Sequence, residues 1–229
     1  MNRTAELEKL FECWQKSNNE LAQGFSPDGI VDESMYDRAK LRILFVLKEP
    51  NGHSDDMRCH ARHAERTLRE SGRHRYATWR NLARWSHGLL FDHPQFSEME
   101  KGFRSSGGLL SIAIINLKKT RGESKTRPRE LSAFVANPIN KAMLRQEMEI
   151  IDPTVIICCG RQSVGELVKE IVAPESKWSP LENGLLCFEW RRSAALSFWH
   201  PAARAKTASL YSSLIEGVEQ VLPRSDHVC

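Results

Sequence analysis

The sequence has no long hydrophobic run and only scattered cysteines, and each shortage excludes a class of protein. No apolar segment approaches the roughly 20 residues that a membrane-spanning helix needs, and the opening MNRTAELEKL lacks the apolar stretch of a secretory signal. The six cysteines form no C-x-x-C pair and no metal-ligand spacing. These absences predict a protein of the reducing cytoplasm that does not associate with membranes and holds no metal and no cofactor.

The composition is that of an ordinary globular protein. The 229 residues are 41% hydrophobic and 27% charged, which excludes a disordered or fibrous chain. This length supports one full-sized core. No repeat or linker divides the chain into domains, and no heptad pattern indicates that two chains pair. We therefore expect a monomer with one domain over 1–229, divided into an N-terminal helix and loop (1–40), a core (41–206) and a closing helix (207–222).

Basic residues are unevenly distributed, although the net charge is only +4. Five arginines repeat at spacings of three and four residues, which places them along one helix face: Arg58, Arg62, Arg66, Arg69 and Arg73. A second basic cluster lies between residues 118 and 129. A charge run is usually a solvated helix face, but two clusters that each follow a candidate strand favour a phosphate-backbone partner.

Short apolar runs alternate with helical patterns along the chain. The apolar runs predict strands at 41–47, 109–116 and 154–159 and a pair of neighbouring strands at 184–190 and 194–199. Helical spacing predicts helices at 4–17, 78–90, 138–150, 163–172 and 208–222. This alternation predicts an α/β fold, a three-layer α/β/α sandwich around a four-stranded, mainly parallel sheet.

Polar residues follow three of these strands, and ligands of such sheets bind beyond the carboxyl ends of the strands. Glu49 follows the first strand and is held by Pro50, Asn116 ends the second, and His200 follows the last. Each alone is commonly a turn or structural residue. Because the three residues lie at the ends of three strands of one sheet, together they indicate a site.

Four segments around these strand ends resemble the motifs of a known family. LKEPNG, IINLKKTRGESKTRP, DPTVIICCG and FWHPAARA occur in the order, and at roughly the spacing, of the motifs of the uracil-DNA glycosylase superfamily. The resemblance covers about residues 41–206. It implies a four-stranded parallel sheet between helical layers. It also implies excision of uracil or a related base that is flipped out of single- or double-stranded DNA, as in base excision repair.

The resemblance also implies roles for the strand-end residues. Glu49 would stabilise the positive charge that develops on the sugar and orient the attacking water, and His200 would donate to the uracil O2. The amide of Asn116 carries a donor and an acceptor, so it would select the edge of uracil. Pro50 and Asn51 would line the same pocket.

Further residues would stack the base and anchor the DNA. Tyr76 is the predicted stacking aromatic. Arg204, in the loop after His200, would fill the gap left by the flipped base. The remaining predicted DNA contacts are Lys48, Lys118, Lys119, Arg121, Arg161, Arg62 and Arg66.

Two departures from the family pattern support an alternative function. Leu47 stands where most branches have a glycine, and Lys48 stands where the iron–sulfur branch has its carboxylate, without that branch's cluster cysteines. The alternative is a catalytically silent nucleic-acid-binding sensor or accessory factor with the same fold. A third interpretation, an enzyme of a phosphorylated small molecule, lacks the G-x-G-x-x-G or Walker sequence that it needs.

Overall fold

The computed structural model describes residues 2–18, 21, 24–51, 55–122 and 127–222. Its helices are α1 (Arg3–Ser17), α2 (Glu33–Arg38), α3 (Met57–Ser71), α4 (Ala77–Leu90), α5 (Phe96–Gly102), α6 (Pro128–Ala136), α7 (Pro138–Ile151), α8 (Gln162–Val172) and α9 (Thr207–Val221). Its strands are β1 (Gly29–Ile30), β2 (Ile43–Leu47), β3 (Ala113–Asn116), β4 (Val155–Cys159), β5 (Ser179–Pro180), β6 (Leu186–Trp190) and β7 (Ser193–Phe198). The end of the LKEPNG segment, the centre of the RGESKTRP loop and the tail after residue 222 lie outside the described ranges.

The strands form one mixed sheet in the order β1-β3-β2-β4-β7-β6-β5. Its four central strands, β3, β2, β4 and β7, are parallel, whereas β1, β6 and β5 pair antiparallel at the two edges. The α/β class is therefore confirmed, but the prediction of four strands is wrong, since seven are found within the described ranges. Strands β1 and β5 contain two residues each, too few to show an alternating pattern.

The central strands are buried on both faces, which explains their unbroken apolar sequences. In β2, Phe45 packs into one hydrophobic cluster and Val46 into the other. The adjacent Cys158 and Cys159 likewise face opposite sides of β4. Helices α3, α4, α5 and α9 cover one face, and α1, α6, α7 and α8 cover the other. The result is a sheet between two helical layers.

The predicted first and last helices are confirmed, with bounds that differ by one residue: α1 begins one residue earlier than predicted, and α9 runs from Thr207 to Val221. Helix α1 begins at Arg3 and not at Thr4, because Asn2 caps it by accepting a 2.9 Å hydrogen bond from the Ala5 amide. In both helices the residues that face the core are apolar and buried, among them Trp14 in α1 and Leu214 in α9. No helix of the described ranges is long and apolar enough to cross a membrane.

The connections place a crevice at the carboxyl edge of the sheet. After β2 the chain enters α3 on one face, and after β4 it enters α8 on the opposite face. Strands β2 and β4 are neighbours, so their outgoing loops diverge and leave space between them. Such a divergence is where open α/β sheets bind ligands. Lys48 and Gly160 are the residues that border it.

Candidate active site

All the predicted strand-end residues meet at one edge of the sheet. Leu47 pairs in register with Asn116, and Cys159 pairs with Phe198, so the central strands end at one level. His200 follows β7, three strand spacings, or roughly 14 Å, across the sheet from the strand that ends at Asn116. The edge therefore offers an extended site and not a single cluster.

The loops after β2 and β3 run side by side and are joined by backbone hydrogen bonds. The Lys118 amide donates to the Lys48 carbonyl at 2.9 Å, and the Gly122 amide donates to the Pro50 carbonyl at 2.9 Å. Asn51 forms an isolated bridge with Gly122. Pro50 is buried and Asn51 is exposed, so only Asn51 of this predicted pair presents its side chain to an approaching ligand.

Glu49 lies under this loop pair with little contact to solvent. Its side chain is 6% exposed, and Lys118 Nζ lies 3.3 Å from its Oε2. A Cβ atom at Gly122 would overlap the Glu49 side chain, so the glycine lets this side chain pack closely against the second loop. Lys118 also approaches Glu130 at 3.6 Å. Two carboxylates thus engage the Lys118 ammonium, which is not the free phosphate contact that the sequence predicted.

His200 is set up as a neutral hydrogen-bond donor. Its Nδ1 accepts a 3.1 Å hydrogen bond from the Ala202 amide, which leaves the imidazole proton on Nε2 in the neutral ring. Burial and, after it, the nearby charge of Lys48 lower the pKa of His200 to about 4. The ring is therefore uncharged at neutral pH, with one N–H free to donate.

The loop that carries His200 is anchored by a residue that the sequence did not single out. Asn81, buried in α4, donates a 2.6 Å hydrogen bond to the Pro201 carbonyl. Tyr76 caps the same helix, about 7.5 Å before Asn81 along the helix axis. It is 48% exposed, and the Arg75 guanidinium stacks on its ring at 4.3 Å. The predicted stacking residue is thus an open aromatic surface on an element that contacts the His200 loop.

Lys48 lies in the crevice between β2 and β4. Its Cε would be 3.1 Å from a Cβ at Gly160, so the lysine stem covers this glycine. On the far side, Arg161 stacks on Trp199 at 4.2 Å. The predicted DNA contact at Lys48 is therefore placed beside His200, where its charge acts on the imidazole.

Replacing Lys48 with methionine is expected to raise the pKa of His200. The pKa should move from about 4 towards, but not to, the ordinary value of 6.5, because burial is the larger cause of the shift. An NMR titration of the imidazole protons measures it. Arg161→Met is the matched control and should leave the pKa unchanged, since Arg161 is not among the causes of the shift. An unchanged titration in Lys48→Met would contradict the described proximity.

Asn116 is fully buried at the end of β3. Its backbone amide and its Nδ2 both donate to Asp28 Oδ2, at 2.7 and 3.4 Å. Its Oδ1 has no hydrogen-bond partner among the described residues. A base can reach this amide only if the residues above it move aside, a requirement that the sequence did not reveal.

The predicted DNA contact at Lys119 is wrong, because this side chain is fully buried. Its Nζ lies 2.5 Å from Asp28 Oδ1 and 2.7 Å from Glu147 Oε2, and both carboxylates are also fully buried. The rings of Phe11 and Trp14 lie 5.9 and 5.6 Å from the ammonium. Lys119 is thus an internal cation in a predominantly apolar layer. We call Asp28, Asn116, Lys119 and Glu147 the buried polar cluster.

Glu147→Gln is expected to flatten the pH dependence of stability. Burial raises the pKa of Glu147 well above its ordinary value of 4.5, against the opposing charge of Lys119. The native state therefore binds this proton more tightly than the unfolded state. The stabilisation is complete below pH 4.5 and is lost as pH rises through the raised native pKa. Glutamine cannot lose a proton, so the variant escapes this loss.

Urea unfolding between about pH 5 and pH 8 measures this difference. The exposed Glu149 of the same helix pairs with Arg145 at 3.3 Å, and Glu149→Gln is the control that should keep the wild-type slope. If Glu147→Gln loses stability with pH as steeply as the wild type, Glu147 is not the group that stays protonated in the native state.

The row of arginines on α3, called here the arginine stripe (Arg58, Arg62, Arg66 and Arg69), is only partly a free surface. Arg58 is buried between Glu8 and Asp56, at 2.6 and 2.8 Å, and Arg62 donates to the Val31 carbonyl at 2.7 Å. The first two arginines of the stripe therefore bind neighbouring segments of the chain. Arg62 stays exposed despite this hydrogen bond, so a DNA contact there remains a prediction. The predicted phosphate contacts that are exposed are Arg62, Arg66, Arg121, Arg161 and Arg204.

In the part of the chain that the structure describes, no three His, Cys, Asp or Glu side chains are placed to hold a metal ion. A scan against protein-family models and a search of curated proteins give no match. The functional argument therefore rests on the residues and their geometry.

Proposed function

We propose that the chain is a DNA glycosylase that hydrolyses the N-glycosidic bond of uracil, or of a related deaminated or modified base, flipped out of DNA. The observation that carries the proposal is the position of His200 at the carboxyl edge with its Nδ1 bound by the Ala202 amide, which leaves Nε2 as the donor of the neutral ring. No hydrogen bond joins Nε2 to another described residue, and the lowered pKa of His200 agrees with a neutral ring. The four central parallel strands support the proposal, because the resemblance implies a parallel sheet of this kind, although β1, β5 and β6 extend the observed sheet to seven strands.

The donor state of His200 suits the departing base. Cleavage of the bond leaves negative charge on the pyrimidine, and a neutral N–H donor stabilises it without repelling the positive sugar. A fixed donor of this kind contributes about 100- to 1,000-fold to the rate of reactions that develop an oxyanion. Burial keeps His200 in this state across the physiological pH range.

The sugar side of the reaction is assigned to Glu49. Its carboxylate is nearly enclosed and held by Lys118, so it is a fixed negative charge that can oppose the positive charge on the sugar and orient a water molecule. A loosely solvated carboxylate would have to reorganise during the reaction. The packing of Glu49 on Gly122 supports a fixed position.

DNA binding is assigned to the exposed basic residues near the carboxyl edge. Arg161 and Arg204 flank the His200 loop, and Arg121 follows the Lys118 loop. Cations around a concave edge neutralise phosphates and hold the strand while a base leaves the stack. A monomer in the cytoplasm stays our prediction for the state and location of the protein.

One observation favours the catalytically silent alternative. Lys118 neutralises the Glu49 carboxylate and Asn116 is inaccessible in this conformation. A protein that only binds DNA needs neither group free. Under this alternative the basic edge still contacts phosphate, but no glycosidic bond is broken.

A strand-cleavage assay separates the two functions. Single- and double-stranded oligonucleotides with one deoxyuridine are incubated with the wild-type protein and then treated with alkali, which breaks DNA at abasic sites. The proposal predicts cleavage at the uracil position alone. Intact strands, together with salt-sensitive binding to the same oligonucleotides, would support the silent alternative.

A further inference from the structure

The buried polar cluster places charged side chains inside an otherwise apolar layer. Its members come from the segment before β1 (Asp28), the end of β3 (Asn116), the loop after β3 (Lys119) and helix α7 (Glu147), and all are fully buried. Burial of charges costs several kcal/mol for each ion unless other groups compensate it. Packing alone does not explain why these charged groups are buried together.

The cluster fixes the orientation of the Asn116 amide. An ionised carboxylate only accepts hydrogen bonds, and Asp28 Oδ2 lies 2.7 Å from the backbone N and 3.4 Å from Nδ2 of Asn116. Rotation of the amide by half a turn would point its oxygen at the carboxylate, with repulsion in place of a bond. Nδ2 must therefore face Asp28, and the unpaired Oδ1 faces away from it.

Lys119 and Glu147 keep Asp28 an acceptor. The Lys119 ammonium bonds Asp28 Oδ1 at 2.5 Å, on the oxygen that Asn116 does not use. Lys119 Nζ also donates a 2.9 Å hydrogen bond to Glu147 Oε1. Burial raises the pKa of Glu147, which favours the protonated form of this group and lowers the negative charge that faces the Lys119 ammonium. A smaller charge lowers the cost of burying the cluster in an apolar layer.

We propose that Asp28 is a positioning residue that determines which base Asn116 accepts. The inference rests on the proposed function, with Asn116 as the group that reads the base. With one Nδ2 hydrogen bound to Asp28, Asn116 offers its Oδ1 acceptor and its second Nδ2 hydrogen on one edge. Uracil presents a matching N3–H donor and O4 acceptor. Cytosine presents the opposite pattern, an N3 acceptor and an N4 donor.

Asp28→Asn tests the inference, because an asparagine has one acceptor oxygen and cannot accept from both Lys119 and Asn116, so the orientation of the Asn116 amide is no longer fixed. We expect the ratio of uracil to cytosine excision rates, measured under single-turnover conditions on matched oligonucleotides, to fall by about tenfold or more. A merely structural role would lower both rates and leave the ratio unchanged, which would overturn the inference. Glu149→Gln, on the same helix but outside the cluster, where Glu149 pairs with Arg145 at 3.3 Å, is the control that should retain the wild-type ratio.

A second measurement uses only the wild-type protein and needs no catalysis. In ¹⁵N NMR spectra the exchange rates of the two side-chain amide protons of Asn116 should differ more than those of the exposed Asn51, because Asp28 binds one of the Asn116 protons. A difference no larger than that of Asn51 would overturn the inference even if Asp28→Asn does not fold. A larger difference in a protein that excises no base would sustain the fixed amide and refute the proposed function instead.

Discussion

Replacing Glu49 with glutamine is expected to reduce uracil excision about 100-fold or more, with DNA affinity unchanged. Glutamine has nearly the same size, so the close packing of this side chain on Gly122 is kept. It lacks the negative charge that stabilises the sugar cation. Single-turnover excision on a deoxyuridine oligonucleotide measures the rate, and fluorescence anisotropy with the same oligonucleotide measures affinity.

Glu130→Gln is the matched control for this experiment. Glu130 is the second carboxylate near Lys118, at 3.6 Å, and its side chain is half exposed. Its loss changes the charge around Lys118 without touching the enclosed carboxylate, so the excision rate should stay within about twofold, since a surface ion pair contributes little. A wild-type rate in Glu49→Gln would show that another group acts on the sugar.

Replacing Lys119 with methionine is expected to destabilise the fold by about 3–5 kcal/mol. The substitution keeps the length of the side chain but leaves Asp28 and Glu147 as fully buried carboxylates without their cation. For a chain of this size, that loss lowers the melting temperature by roughly 6–20 °C. Urea and thermal unfolding, followed by circular dichroism, measure both quantities.

Lys141→Met provides the comparison for a lysine at the surface. Lys141 pairs with Glu170 at 2.9 Å, and both side chains are partly exposed. Its removal should change stability by about 1 kcal/mol or less. Equal effects of the two substitutions would contradict the burial of Lys119, and with it the argument that the cluster fixes Asn116.

The central part of the fold was accessible from the sequence because local patterns determine it. Unbroken apolar runs such as that of β2 predict strands buried on both faces, and the alternation with helical spacing predicts parallel connections. The adjacent Cys158 and Cys159 show the same regularity. Strands β1 and β5 were missed because their pairing depends on contacts with distant segments and not on a periodic pattern.

The candidate site was only partly accessible from the sequence. The positions of Glu49, Asn116 and His200 at the carboxyl edge follow from the strand order, and the structure places all three there. Their partners do not follow from local sequence. Asp28 lies in a stretch that reads as a loop, yet it accepts from Asn116, which is 88 positions away.

The same limit explains the errors among the basic residues. Lys118 and Lys119 are neighbours in a basic cluster, and the sequence treats them alike. The structure gives them opposite surroundings, because Lys119 enters the layer beneath α1 and α7 and Lys118 remains at the loop surface. Burial of a lysine depends on carboxylates supplied by other elements, and these become neighbours only on folding.

Detection of the released base tests the central claim most directly. The wild-type protein is incubated with a deoxyuridine oligonucleotide in water enriched in heavy oxygen, and the products are analysed by mass spectrometry. The account predicts free uracil and an equal amount of abasic strand that carries one heavy oxygen at the sugar carbon. No free base from single- or double-stranded substrate, under conditions in which the protein binds both, would contradict a glycosylase and leave a protein that only recognises DNA.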